Sequence, residues 1–255
     1  MASSKIKIIA LSTALTITAL FLGYAISVFV ATLSISSGIT LLVALAIFLS
    51  IFSFQALLID NRYLTIGLCL LETLGLLVPL YKSWSLILMI AGVVAFLLLV
   101  SALWETRKDL ANALKIDFLK IARSINTRAS IAIVLLGVTL YIGAMTFQDI
   151  TDSIMASTDP VVQQAANSFF PKELTSDIIN QTRQLILEQL EQVPENIQKL
   201  VVIGFGILLF LGVKSLTFII NWLSALIAAL LYKILLSTKF IVLSIEDVPK
   251  ETISL

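Results

Sequence analysis

Histidine is absent from the 255 residues of this chain. Imidazole is therefore excluded as metal ligand, general base or proton switch. The Ser-His and Cys-His constellations of most hydrolases go with it. Cysteine occurs once, as Cys69 within an apolar run, so no intrachain disulfide can form. Charge is scarce: Asp, Glu, Lys and Arg make up 13% of residues, about half the share of a soluble domain. The net charge of +1 comes with no clustered basic surface of the kind that binds nucleic acid. The sequence holds no glycine-rich phosphate loop, no cluster of metal ligands and no pair of intramembrane aspartates. It shows neither a repeat of 20–50 residues nor the inverted repeats and Gly/Pro-broken helix pairs of transporters. The expectation is a non-catalytic chain without metal or cofactor.

What is present is hydrocarbon. Hydrophobic residues reach 59%, against about 45–50% in soluble domains. They gather in runs of about 20 residues, enough to cross a bilayer core of about 30 Å. The expected fold is an all-α membrane protein: a polytopic bundle of six transmembrane helices, seven in the alternative, with a small helical extracytoplasmic segment. The bilayer is the first expected partner.

Residues 1–104 read as a four-span block. The apolar part of the first span is longer than the 7–15 residues of a signal-peptide core, so it reads as an uncleaved span. Along it Ser12, Thr16, Ala19, Gly23 and Ser27 form one thin face, suited to close helix packing, with a substrate path as the sharper alternative. Turns fall at 34–38, 60–62 and 82–83. Tyr63, Tyr81, Trp84 and Trp104 sit at span ends, where amphipathic rings favour the interface.

Residues 105–128 read as a cytoplasmic amphipathic connector helix. Leu110, Leu114, Phe118, Ile121 and Ile125 take one face, and basic residues another. Such a helix lies on the membrane surface through Arg107, Lys108, Lys115, Lys120 and Arg123, or packs its apolar face on its own protein. A fifth span is expected over 129–148 and an acidic helical segment over 149–196. A C-terminal apolar region covers 197–243, and a polar tail 244–255. The region 197–243 is too long for one span. Two readings compete. A hairpin can turn at Gly212-Val213-Lys214-Ser215. The preferred reading ends a sixth span near Asn221-Trp222 and adds a further apolar helix.

Orientation follows from Lys and Arg. Lys5, Lys7 and the basic connector belong in the cytoplasm by the positive-inside rule. Segment 149–196 is then outside with its acids Asp149, Asp152, Asp159, Glu173, Asp177, Glu188, Glu191 and Glu195. The sequon Asn180-Gln181-Thr182 falls there, and its shortness favours chance.

The intramembrane polar candidates are Glu72 and Lys214. Glu72 lies about nine residues from each end of its span, so it must face the bundle. It shares a helix face with Thr65, Cys69, Leu76 and Pro79, with Gly75 one turn on. Lys214, Gln55, Asn221 and the first-span hydroxyls are its available partners. Glu72 reads as a packing hydrogen bond or as a cation or proton site. The functional expectation is a scaffold or accessory subunit presenting 149–196 to a protein partner. The alternative is a small-solute or ion transporter or channel built on Glu72.

Overall fold

The computed structural model describes residues 2–59, 61–111, 117–152, 184 and 193–238. Among them every regular element is helical, and six helices are long and apolar enough to cross a membrane.

Helix α1 covers Ala2–Thr32 and ends at Leu33, whose φ of 46° reverses the chain. Ser34 then caps α2 (Ile35–Phe52): its hydroxyl accepts from the Ser37 amide, while the Ser37 hydroxyl accepts from the Ser34 amide. This reciprocal pair satisfies two of the donors a helix start leaves open. At Ser53-Phe54 the ladder tightens, with the Phe54 amide bonding the Ile51 carbonyl, and the chain continues as the short α3 (Gln55–Leu58). Asn61 caps α4 (Arg62–Leu77) by accepting from the Tyr63 and Leu64 amides. Pro79 lacks an amide proton and its ring crowds the carbonyl four residues back, so the span finishes as a 3-10 helix, Val78–Ser83. Helix α5 runs Leu86–Ala111, α6 Phe118–Ala144 behind its cap Asp117, and α7 Glu195–Ser237. Residues 147–152 begin a further helix.

Two expected boundaries move. Residues 105–128 are not an independent connector helix: 105–111 continue α5, and 118–128 form the first turns of α6. Phe118, Ile121, Ala122 and Ile125 are buried against the chain's own bundle, so the apolar face of 118–128 is covered by protein. Nor does 197–243 divide into a sixth span and a further helix, or into a hairpin. Gly212 and Ser215 lie within the unbroken α7. A helical glycine costs about 1 kcal/mol, whereas opening the backbone in hydrocarbon costs several kcal/mol for each unsatisfied group.

Helix α1 packs on α2 and α4, α5 on α4 and α6, and α7 on α6 and α2. The main core holds Leu15, Leu22, Phe48, Leu49, Leu76 and Leu99. A smaller cluster at one end joins Phe54, Phe118, Ala225, Ala228 and Tyr232, with Leu11 of α1 against it. The Phe118 and Tyr232 rings stack there at 4.6 Å between centroids. Outward, the helices expose Ile17, Ile39, Leu74, Ile90, Ile203 and Ile219. So many large apolar side chains facing out fit a hydrocarbon surround rather than water.

The thin face of α1 does close-pack. Gly75 of α4 sits against Ala19 and the Thr16 carbonyl, and Gly23 lies against the Leu76 backbone. The approach is so close that a Cβ at Gly23 would enter the shell of the Leu76 carbonyl oxygen.

Candidate functional site

Thr65, Cys69 and Glu72 follow one another at four and three residues along α4, hence on one helical face. All three are buried, Glu72 at 1% exposure. The tightened turn at Ser53-Phe54 brings Gln55, fully buried, to the same place, and its carboxamide faces the Glu72 carboxyl. Among the described residues neither pair of polar atoms finds a partner of good hydrogen-bond geometry, so the two groups are neighbours rather than a formed bond. At the other end of this column Arg107, from the last turns of α5, donates to the Ile59 carbonyl and the Thr65 hydroxyl. Thr65 in turn donates to the Asn61 carbonyl at 3.0 Å. Cys69 lies between Thr65 and Glu72 on the same face and is fully buried.

This arrangement revises two expectations. Arg107 was assigned to the membrane-surface set, but it turns half-buried into the bundle and closes the α3–α4 loop. Lys214 is exposed on α7, away from Glu72, and Gln55 is the polar neighbour instead. Of the other basic residues, Lys120 and Arg123 are exposed on α6, and the Arg123 guanidinium lies 5.4 Å from the Phe218 ring centroid. The side chain of Lys108 and the whole of Lys115 lie outside the described residues. So do most of 149–196 and the sequon at Asn180. Among the described residues no three metal-ligating side chains come together.

A second polar set was not singled out from the sequence, apart from Asn221. Ser53 donates to Asn126 Oδ1 at 2.9 Å, Asn221 Nδ2 to Ser130 Oγ at 3.0 Å, and Ser50 to the Ser224 carbonyl at 3.1 Å. Together these bonds tie α2, α6 and α7. The signal for Asn126 and Ser130 was available: both share a face with Ala122, Ile125, Ala129 and Ile133, at helical spacing. Arg128 and Glu105 form an ion pair that joins α6 to α5. Beyond α6, Thr146 and Asp149 open the next helix. The Thr146 hydroxyl and amide both donate to Asp149 Oδ2 at 2.7 Å, and these bonds hold the Asp149 carboxyl below the usual carboxylate range.

Chemically the α4 column can hold a proton or a small cation between Glu72 and Gln55. The α2–α6–α7 set can fix helices. Comparison with models of protein families, with curated proteins and with solved structures finds no match to this chain.

Proposed function

We propose that the chain is a non-catalytic multi-pass membrane protein, a scaffold or accessory subunit that holds segment 149–196 outside the membrane for a protein partner. One observation carries this reading: α6 and α7, the two helices that flank the segment, are joined along their length. Ile142 meets Gly206 near one end, Ser130 bonds Asn221 in the middle, and Phe118 stacks on Tyr232 at the other. Helices fixed in this way hold the two ends of the segment at a set separation.

The cytoplasmic side is the end where Leu11 of α1, Phe54, Phe118 and Tyr232 meet. Lys5 and Lys7 near the start of α1 and the basic residues of α6 belong to that end, which supports the positive-inside assignment. Residues 144–149 then emerge on the other side.

The test replaces 153–192 with a glycine-serine linker of matching span. The variant should keep its helix content and thermal midpoint in mild detergent and lose the proteins that co-purify with the full chain. An unchanged set of co-purifying proteins would overturn the reading.

A second reading rests on the Glu72 carboxyl, buried beside Gln55 with Arg107 at the column's cytoplasmic end. An acid buried within a span is a functional candidate by default, and here it would bind a proton or small cation. Flux in proteoliposomes that vanishes in Glu72→Gln would favour this reading over the first.

A further inference from the structure

The face of α7 that carries Asn221, Ala225, Ala228 and Tyr232 is buried against α6 and α2. Lys214 lies on the same face, seven residues or two turns before Asn221, yet it is exposed. The α2 stripe behaves in the same way. Ser50 and Ala46 are buried where Ser50 meets the Ser224 carbonyl, while Val43 and Ile39, further along that stripe, are 52% and 57% exposed. The two helices run in the same direction and touch where Ser50 meets Ser224. Beyond that contact the facing stripes are uncovered, with Val43 and Ile39 exposed on α2 and Ile207, Leu211 and Lys214 on α7, so the helices part and leave a lateral cleft between them.

Depth makes Lys214 notable. The Glu105–Arg128 pair and the Ser130–Asn221 bond set Trp104 and Trp222 at one level, and both rings are about half exposed. Half-exposed tryptophans at a common level mark an interface. Lys214 is eight residues further in, about 12 Å at 1.5 Å per residue. A lysine stem spans only about half of that. Side chains of a helix also lean toward its N-terminus, which for α7 points away from this interface. One turn toward the cytoplasm the Arg123 guanidinium rests on Phe218 and adds a second positive charge to the same flank.

We propose that the cleft between α2 and α7 is a docking site for a transmembrane helix of another protein, and that this helix carries an Asp or Glu paired with Lys214. The charge argues for an acid, because an ammonium at this depth is costly unless paired. The acid cannot come from the described spans of a second copy, since Glu72, their intramembrane carboxylate, is fully enclosed. The proposal takes from the accessory-subunit reading only the existence of a partner. It does not involve 149–196, so either can fail without the other.

The experiment uses the full chain in liposomes and a synthetic leucine-alanine transmembrane peptide with one central Glu. Association is read by energy transfer between dyes on the peptide and on the chain. The Glu peptide should associate at least tenfold more strongly than its Gln counterpart. That preference should disappear in Lys214→Leu and shrink in Arg123→Gln. Because Lys214 is exposed, Lys214→Leu should keep the wild-type thermal midpoint, which separates loss of pairing from loss of fold. Equal association of the two peptides, or a preference that survives Lys214→Leu, overturns the proposal. A preference that vanishes when anionic lipid is added assigns the cleft to headgroups and also overturns it. So does a stable dimer without peptide, cross-linked through Leu211→Cys.

Discussion

Asn221 of α7 donates to the Ser130 hydroxyl of α6 at 3.0 Å, and the Ser130 hydroxyl donates to the Thr127 carbonyl at 3.0 Å. The pair is buried and joins residues 91 positions apart. Interhelical hydrogen bonds in membranes average about 0.6 kcal/mol and reach about 1.7. A double-mutant cycle of Asn221→Ala and Ser130→Ala in detergent should give a coupling of about 0.5–1.5 kcal/mol. A coupling near zero would mean that the pair does not fasten the helices.

Gly23 and Gly67 should respond oppositely to alanine. A Cβ at Gly23 meets the Leu76 backbone, which cannot swing aside, whereas a Cβ at Gly67 meets nothing within 4 Å. Gly23→Ala should cost about 1–3 kcal/mol through forced separation of α1 and α4. Gly67→Ala should be neutral or gain up to about 1 kcal/mol from helix propensity. Thermal midpoints in one detergent check both.

Leu33 holds a left-handed φ of 46°, a region that costs a non-glycine residue about 1–2 kcal/mol. Glycine removes that strain and returns about 0.5–1 kcal/mol as chain entropy. Leu33→Gly should therefore stabilise the chain by about 0.5–1 kcal/mol, and a lowered midpoint would contradict it.

Asp149 gives a pH signature. Its carboxyl is held below the usual range by the Thr146 hydroxyl and amide. A depressed folded value means that its contribution is present above about pH 4, the range of an unperturbed carboxyl, and is lost as pH falls further. Protection of the amides at 147–151, taken relative to their intrinsic exchange rates, should fall below about pH 4 in the wild type. In Asp149→Asn that pH dependence should be absent.

Glu72 separates packing from transport. Glu72→Gln keeps the shape and a polar head group, and should leave stability within about 1 kcal/mol if the group only packs beside Gln55. Glu72→Leu should cost more, because the buried Gln55 carboxamide loses its polar neighbour. A wild-type flux that disappears in Glu72→Gln while the midpoint holds would decide for transport.

Helix starts were legible at Ser34 and Asn61, which fall in the expected turns, but not at Asp117, which caps α6 inside the stretch read as one connector helix. Glu72 was legible as inward-facing because hydrocarbon leaves a carboxylate nowhere else to go. Its neighbour was legible only as one of several available partners: Gln55 sits near the end of the second span in sequence, and the tightened turn at Ser53-Phe54 is what brings it to the carboxyl. Arg107 misled for a related reason. Its charge and its place in a basic stretch suggested the membrane surface, while the free Ile59 carbonyl that draws it inward exists only once α3 has ended. Gly212 and Ser215 carried turn chemistry, yet both lie within the unbroken α7.

The continuity of α7 has a mechanical consequence. Its C-terminal half is bolted at Asn221, Ser224 and Tyr232, and further up Gly206 rests on Ile142 of α6. The stretch from Glu195 to Gly206, about 17 Å, overhangs the last of these supports. A tilt of about 5° moves its tip by about 1.5 Å, and the bending stress concentrates at Gly206. A load applied at the Glu195 end is thus felt first where Gly206 meets Ile142.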